Sequence, residues 1–126
     1  MTDRPLEGER AFEVKRVYDR PEDVDGRRVL VDRLWPRGVG KQQARIDDWM
    51  KAVAPSAELR RWFHADPGER RAEFARRYRD ELADDEHRQA LDQLRELADV
   101  GHVTLITAVK DIAHSHIPVL LERLRD

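Results

Sequence analysis

The sequence contains no cysteine. That absence excludes disulfide bonds, thiolate nucleophiles and cysteine-ligated zinc from the chemistry of this chain. The glycine-rich loops of P-loop and dinucleotide-binding proteins are also missing, so the sequence indicates no particular cofactor. No apolar run approaches the roughly 20 residues of a membrane-spanning helix, and the first ten residues lack the apolar segment of a secretory signal. We therefore expect a cytoplasmic protein with no membrane partner.

An excess of charge of one sign is lacking as well. Charged residues make up 40% of the chain, but 24 Lys and Arg nearly balance 26 Asp and Glu, which leaves a formal net charge of -2. Such a balance disfavours long-range attraction to nucleic acid, although a local basic patch stays open. In the arginine-rich segment 70–79, Glu73 and Arg77, and likewise Arg77 and Glu81, are four residues apart, which is the spacing of salt bridges on a solvated helix face. Nucleic acid is thus not an expected partner.

The length of 126 residues suits one compact domain and is short for two. Residues 1–10 are polar and contain Pro5 and Gly8, which is typical of a loose arm. We predict that residues 11–126 form a single α/β domain.

Strand patterns occur near both ends of this domain. Residues 12–18 alternate imperfectly and indicate a half-buried or edge strand. Residues 20–26 indicate a turn, with room for a short helix that has Pro21 at its first position. Unbroken apolar runs predict two buried strands, over residues 28–34 and 103–109.

Between and after these strands, apolar residues recur at helical spacing. We predict that Ser56 caps one of the helices and that Gly101 stops another. The five apolar stripes are Ile46, Trp49, Met50 and Val53; Leu59, Trp62 and Phe63; Phe74, Ala75, Tyr78 and Leu82; Leu91, Leu94, Leu97 and Ala98; and Ile117, Leu120, Leu121 and Leu124. Strands separated by long helical stretches predict a three-layer α/β sandwich with a small, mainly parallel sheet and flanking helices.

Polar residues follow both buried strands directly. The first run leads into Val29–Gly38 (Val-Leu-Val-Asp-Arg-Leu-Trp-Pro-Arg-Gly), and the second leads into Lys110–His116 (Lys-Asp-Ile-Ala-His-Ser-His). In open parallel sheets, ligands bind outside the carboxyl ends of the strands. The two phrases therefore predict a site at one edge of the sheet.

Asp32, Arg33 and Arg37 form the first candidate cluster. In the functional interpretation, Arg33 or Arg37 binds an anionic group, and Asp32 orients the arginine or accepts a proton. In the structural interpretation, Asp32 and an arginine neutralise each other at the end of a strand. Both interpretations require pairing, because a buried unpaired charge is very costly. Trp35 belongs to the same phrase and is included among the candidate ligand-binding residues.

The second candidate cluster consists of Lys110, Asp111, His114 and His116, with Ser115 as a further ligand-binding candidate. Asp111 can cap the last helix, which would leave Lys110 and His114 near the positive end of that helix, where phosphate or carboxylate binds readily. Either imidazole can exchange protons near neutral pH. The structural alternative is a helix cap with two partly exposed histidines.

A metal site is a weaker interpretation of the same histidines. At a helix start the rings of His114 and His116 diverge, and a closed zinc site would need further ligands such as His64 or Asp66. We therefore predict no metal ligands.

Several phrases of this chain resemble the YeaO-like bacterial proteins, a group within the family called domain of unknown function 488. The phrase Val29–Gly38 is the most specific of them, and the resemblance extends from about Val14 to Leu124. The other phrases are Asp48-Trp49, Ala54-Pro55-Ser56, Leu59-Arg60, Trp62-Phe63-His64, Asp66-Pro67, and Lys110-Asp111 with His114-Ser115-His116.

The resemblance implies an α/β fold with a parallel sheet. In the wider family, a Val-Asp-Val-Arg-like phrase ends the first motif, which Asp32 and Arg33 resemble, and a Cys-His-Arg-like phrase opens the last helix. His116 matches the histidine of that second phrase, but Ser115 stands in place of the cysteine, which puts a thiol mechanism in doubt for this chain. Some members carry a transcriptional-regulator label, which no helix-turn-helix phrase of this sequence supports.

The sequence thus predicts a protein that binds a small anionic ligand, nucleotide-like or phosphorylated, at the carboxyl ends of its strands. If it is an enzyme, Asp32, His114 and His116 are the candidate catalytic residues for a hydrolytic or transfer reaction. The alternative is a non-catalytic protein, either a ligand sensor or a DNA-associated transcriptional regulator.

Overall fold

Four parallel strands form one sheet in the computed structural model, which describes residues 12–125. The strands are β1 (Phe12–Arg16), β2 (Arg27–Leu30), β3 (Asp48–Trp49) and β4 (Val103–Thr107), and their order across the sheet is β1-β4-β2-β3. The predicted parallel sheet is confirmed, and β1 lies at an edge as its imperfect alternation suggested. The predicted arm over residues 1–10 lies outside the described residues.

The central strands β2 and β4 are buried on both faces. Val29 pairs with Leu105 and Leu30 pairs with Ile106, and all four side chains are inaccessible to solvent. Val29 and Leu105 belong to the larger core, whereas Leu30 and Ile106 belong to a smaller core on the opposite face. Successive side chains of a strand point to opposite faces, so an unbroken apolar run fits a sheet that is covered on both sides.

Helices cover the face that carries the larger core. They are α2 (Ala57–Ala65), α3 (Pro67–Glu81), α4 (Asp85–Val100) and α5 (Ile117–Arg125). A thinner layer covers the other face, where the short helix α1 (Lys41–Ala44) and the loop that contains Trp35 and Val39 pack on Leu30 and Ile106. The fold is therefore an α/β sandwich, as predicted.

The helix boundaries follow the expected capping chemistry. The Ser56 hydroxyl accepts a hydrogen bond from the amide of Leu59 at 3.1 Å, which confirms Ser56 as the cap of α2. Asp66 and Asp84 cap α3 and α4 in the same way. The predicted stop of α4 at Gly101 is also confirmed.

Two predictions about local structure were wrong near β2. The stripe from Ile46 to Val53 is not a helix but strand β3 followed by a 3₁₀ turn, Lys51–Val53. Its backbone pairs with β2 instead, since the amide of Met50 donates to the carbonyl of Leu30 at 2.9 Å. Pairing with an open sheet edge has outweighed the helical spacing of the side chains.

Strand β2 also ends earlier than predicted, at Leu30 rather than Leu34. The amide of Val31 still donates to Ile106 at 3.0 Å, and the chain then leaves the sheet at Asp32. In the turn before β2, the short helix is the 3₁₀ segment Asp23–Asp25, which begins after Glu22 and not at Pro21.

No helix within residues 12–125 is both long and apolar enough to cross a membrane.

Candidate functional site

A cavity of about 440 Å³ opens at the carboxyl ends of β2 and β4. Most of its walls come from the loop 32–37 that follows β2, one face of α2, and the residues on either side of the turn between β4 and α5, and Tyr18, Pro55 and Phe74 complete them. This volume lies in the range of about 300 to 1,000 Å³ that small-molecule sites occupy. The cavity therefore stands where the parallel sheet was expected to bind a ligand.

Asp32 lies at the inner end of the cavity, with a side chain that is only 13% exposed. The hydroxyl of Thr107 donates to its Oδ1 at 2.7 Å, and the amide of Ala108 donates to its Oδ2 at 2.8 Å. Burial by itself raises the pKa of Asp32, but the bonds and charge of His116, with those from Ala108 and Thr107, outweigh it and lower the pKa. Asp32 is therefore an ionised carboxylate whose two oxygens are both held by the protein.

His116 lies beside Asp32, directly before α5, and is buried. Its Nε2 is 3.0 Å from the carbonyl oxygen of Val31 and 3.4 Å from Oδ1 of Asp32. Both neighbours are acceptors, so Nε2 must carry a hydrogen and donate it to them. The imidazole thus joins the start of α5 to the end of β2.

These contacts bear directly on acid–base chemistry. A general base needs a free lone pair directed at the substrate and a pKa near the operating pH. The pKa of Asp32 is lowered, and its oxygens accept three donors from Thr107, Ala108 and His116. The arrangement suits the fixing of strand ends better than proton transfer.

The loop that follows β2 is fixed by side-chain bonds to the backbone. Trp49 donates its indole N–H to the carbonyl of Asp32 at 2.7 Å, and Trp35 donates to the carbonyl of Val39, also at 2.7 Å. The two indole rings meet edge to face with centroids 5.5 Å apart. Gly38 takes a positive φ of 73°, a left-handed conformation that a side chain would oppose. The Trp-Pro-Arg-Gly turn is therefore a rigid wall of the cavity.

Three arginines line the cavity. Arg33 donates its Nε to the carbonyl of Pro55 at 2.7 Å, which uses one of the five guanidinium donors and holds the side chain beside the start of α2. Arg60 lies one turn into α2, and Arg37 is exposed in the loop after β2. Within residues 12–125, none of the three forms an ion pair with a carboxylate.

His64 adds a titratable group to the same wall. It lies four residues after Arg60, so both side chains project from the same face of α2 into the cavity. Partial burial, and secondly the positive charge of Arg60, lower the pKa of His64 below its ordinary value of 6.5. The ring is therefore mainly neutral at pH 7 and gains charge only at lower pH.

Aromatic rings continue from the cavity into the core. Phe63 and Phe74 line the cavity and stack with centroids 4.2 Å apart. Tyr78 follows behind Phe74 at 5.9 Å, and its edge meets the ring of His116 at 6.0 Å. The hydroxyl of Tyr78 donates to the carbonyl of Val53, and burial raises its pKa well above 10.0. This aromatic row links the α2 wall of the cavity to His116.

The structure brings together six of the nine candidate residues named from the sequence. Those that line the cavity are Asp32, Arg33, Trp35, Arg37, Ser115 and His116. Those that do not line it are Lys110, Asp111 and His114. The hydroxyl of Ser115 donates to Ile112 and accepts from the amide of Ile117, so it is occupied by the turn before α5.

The expected cap of the last helix was wrong. Helix α5 begins at Ile117, six residues after Asp111, because a 3₁₀ turn, Ile112–His114, intervenes. The Asp111 carboxylate instead contacts Nδ1 of His114 at 2.6 Å, on the exposed surface. His114 and His116 therefore point to different surroundings, and residues 12–125 contain no group of three or more metal-ligating side chains.

The arginines of α3 are largely paired within the protein. Glu73 binds Arg77 at 2.8 Å, as its spacing predicted, and also binds Arg76. The predicted pair of Arg77 and Glu81 was wrong, because Glu81 accepts bonds from the amide and hydroxyl of Ser56. The guanidinium of Arg77 instead lies 4.2 Å from the ring centroid of Trp62. Arg79 binds Glu122 at 2.8 Å, so three of the five arginines of α3 form ion pairs with carboxylates.

Two contributors to the cavity were missed in the sequence. Arg60 was not named as a site residue, although its spacing to Phe63 and His64 places all three on one helix face. Tyr18 lines the cavity from the segment after β1, and only the strand order explains its position. His64 had been named only as a possible further ligand of a zinc site.

Comparison with known proteins gives two kinds of match. A family model described as the inactive DUF488-N3 subclade matches residues 11–126. An uncharacterised protein of Mycobacterium tuberculosis (strain H37Rv) is 49% identical over 111 residues, which cover 88% of this chain and 91% of the relative. The uncharacterised protein YeaO of Escherichia coli (strain K12) is 42% identical over 114 residues, or 90% of this chain and 96% of the relative. No solved structure matches the chain.

Proposed function

This chain belongs to the YeaO-like proteins of the DUF488 family, and from that premise we propose that its cavity binds a small anionic ligand without catalysing a reaction on it. One observation carries the proposal. The cavity lining contains three guanidinium groups and a single carboxylate, in a chain whose formal net charge is -2. Positive charge is thus concentrated in a cavity that opens beside the strand ends.

The single carboxylate does not cancel this positive charge. Asp32 is held from inside by Thr107, Ala108 and His116, so its charge is already compensated by donors. Arg33 is anchored to Pro55 through Nε, and its terminal nitrogens remain able to donate to a ligand. Arginine is suited to this task because its planar fork matches the oxygens of a phosphate or carboxylate group.

We propose no catalysis because of the pKa, the hydrogen bonds and the positions of the candidate catalytic residues. Asp32 has a lowered pKa and engaged oxygens, His116 donates its Nε2 hydrogen to Val31 and Asp32, and His114 does not line the cavity. The matching family model is described as an inactive subclade, and that description supports a binding role for this chain.

Isothermal titration calorimetry with inorganic phosphate and with ribose 5-phosphate tests the proposal. Both compounds should bind the wild-type protein, and the Arg60→Ala variant should bind each at least about tenfold more weakly, since a hydrogen bond to a charged group contributes roughly 1.5 to 3 kcal/mol. Arg61→Ala is the matched control, because Arg61 is the exposed neighbour on α2 and does not line the cavity.

The expected result is an unchanged affinity in the Arg61→Ala protein. If neither compound binds the wild-type protein at millimolar concentration, or if both variants lose affinity equally, the cavity is not the anion site that we propose. A turnover assay on the bound sugar phosphate completes the test, because release of phosphate by the wild-type protein would contradict the non-catalytic part of the proposal.

A further inference from the structure

We infer that the ligand is a nucleoside phosphate, whose base packs on the apolar mouth of the cavity while its phosphate meets the arginines. The inference rests on the proposed function and adds a ligand class to it. It starts from the two chemically different parts of the cavity lining, one cationic and one apolar. A ligand that fits both parts must carry an anionic group and a flat apolar group on the same molecule.

The apolar part of the lining is largely exposed to solvent. Tyr18 is 53% exposed and Leu34 is 56% exposed, and both line the cavity. They are two of only five large apolar side chains that are exposed among residues 12–125. Exposed apolar surface that borders a cavity is typical of a binding site, because a ligand can remove it from water.

Tyr18 is held in place before any ligand arrives. The guanidinium of Arg16 lies 5.1 Å from the centroid of the Tyr18 ring. Arg16 is itself anchored, because its Nε donates to the carbonyl of Val109 at 3.0 Å, and Val109 lines the cavity. An aromatic ring that is fixed at a cavity mouth offers a stacking surface for a nucleobase at little entropic cost.

The distance between the two parts favours a ligand with a spacer. Tyr18 follows β1, and the loop that carries Arg33 and Arg37 follows β2, with β4 between these two strands. Neighbouring strands lie about 4.8 Å apart, so the two chain segments leave the sheet about 10 Å from each other. In a nucleotide the sugar separates base and phosphate over a comparable span, whereas in a phosphorylated aromatic ring the phosphate is attached directly.

The volume of the cavity agrees with a ligand larger than the anion alone. A water molecule takes about 30 Å³ in the liquid, and inorganic phosphate is only a few times larger. Phosphate alone would therefore leave most of the 440 Å³ empty. The lining also includes Trp35, Phe63 and Phe74, whose apolar rings suit the sugar between the base and the phosphate.

Calorimetric titration of the full chain with adenosine 5′-monophosphate, uridine 5′-monophosphate and ribose 5-phosphate tests the inference. At least one of the two mononucleotides should bind about tenfold more tightly than ribose 5-phosphate, which lacks the base. The Tyr18→Ala variant should lose that advantage and bind ribose 5-phosphate as the wild-type protein does. Tyr18→Phe should retain it, because the ring remains, and Val24→Ala serves as the control for an exposed apolar residue outside the cavity.

Two further probes test other ligands with related chemistry. A single-stranded oligonucleotide tests whether the nucleotide belongs to a nucleic-acid strand, and O-phosphotyrosine tests whether a phosphorylated aromatic ring binds instead. A short single-stranded oligonucleotide without terminal phosphate that binds more tightly than the free mononucleotides would identify the strand as the source of the nucleotide. Equal affinity for ribose 5-phosphate and both mononucleotides would overturn the inference and leave the proposed anion binding intact. O-phosphotyrosine that binds as tightly as the mononucleotides would also overturn it. Failure of every phosphate compound to bind would instead remove the proposed function itself.

Discussion

The hydroxyl of Thr107 donates a 2.7 Å hydrogen bond to the carboxylate of Asp32. Thr107 is the last residue of β4, and Asp32 lies just beyond the end of β2, so the bond joins the two central strands where the sheet gives way to the cavity. The amide of Ala108 and the imidazole of His116 bind the same carboxylate. One acidic side chain therefore organises the three chain segments that form the inner wall of the cavity.

Asp32→Asn should destabilise the fold by about 2 kcal/mol at neutral pH, because a largely buried carboxylate loses its charge-assisted bonds. The lowered pKa of Asp32 gives the effect a defined pH dependence. A depressed folded-state pKa contributes stability above the ordinary value of 3.8, and that contribution is lost as the pH falls through the folded-state pKa. Urea denaturation of both proteins at a series of pH values measures the difference.

The difference in stability should stay constant from neutral pH down to the ordinary pKa of aspartate and shrink below it. Glu96→Gln is a suitable control, since Glu96 is exposed on α4 and does not line the cavity. A difference that stays constant at pH values well below 3.8 would show that the charge of Asp32 contributes nothing to the fold.

Anion binding should strengthen as the pH falls through the pKa of His64. Burial, and then the charge of Arg60, hold this pKa below 6.5, and a bound anion favours the protonated ring. Sulfate is the appropriate probe, because it does not titrate between about pH 5 and about pH 8, where histidine does. His64→Asn should remove the pH dependence of the sulfate affinity in that range.

His102→Asn provides the control for this experiment, because His102 is exposed and does not line the cavity. A pH dependence that persists unchanged in the His64→Asn protein would show that His64 does not cause the effect.

Ser56→Ala should cost about 1 to 2 kcal/mol of folding free energy, which is the upper part of the range for the loss of a helix cap. Ser56 does more than cap α2, because its hydroxyl donates to Glu81 at 2.6 Å and its amide donates to the same carboxylate at 2.9 Å. These bonds tie the start of α2 to the end of α3. Chemical denaturation measures the loss.

Asp66→Ala is the matched comparison, since Asp66 caps α3 by the same type of bond, from the amide of Glu69 to its Oδ1 at 3.4 Å, and lies on the exposed surface. The loss in Ser56→Ala should exceed the loss in Asp66→Ala. Equal losses would indicate that the bonds to Glu81 add nothing to the cap.

The strands and most helices could be predicted because their side chains are buried in a simple pattern. The Val-Leu-Val run of β2 had to lie inside a covered sheet. Ser56 marks the start of α2 and Gly101 marks the end of α4, and both are recognisable from their local chemistry. Residues 46–53 misled the prediction because their apolar spacing fits a helix, while the open edge of β2 provided backbone partners that no local pattern reveals.

The candidate site was predictable only where it lies on strand ends. Asp32, Arg33 and His116 could be located because they follow or face the ends of parallel strands. Arg60 and Tyr18 reach the cavity through the packing of α2 and the order of the strands, which are tertiary properties. Lys110 and His114 do not line the cavity, because the chain forms a 3₁₀ turn, Ile112–His114, before α5 begins.

Trp49→Phe should weaken ribose 5-phosphate binding more than it weakens the fold. The substitution keeps an aromatic ring against Trp35 but removes the indole N–H that donates to the carbonyl of Asp32 at 2.7 Å. A partly exposed hydrogen bond of this kind contributes about 1 kcal/mol to stability, so the protein should remain folded. The loop with Arg33 and Arg37 would lose one of its attachments, and a less ordered loop loses more conformational entropy on binding.

We expect an affinity loss of several-fold by calorimetry. The control is Trp62→Phe, which should bind normally because Trp62 lies outside the cavity and stacks on Arg77. Unchanged affinity in the Trp49→Phe protein would mean that the remaining contacts alone order the loop.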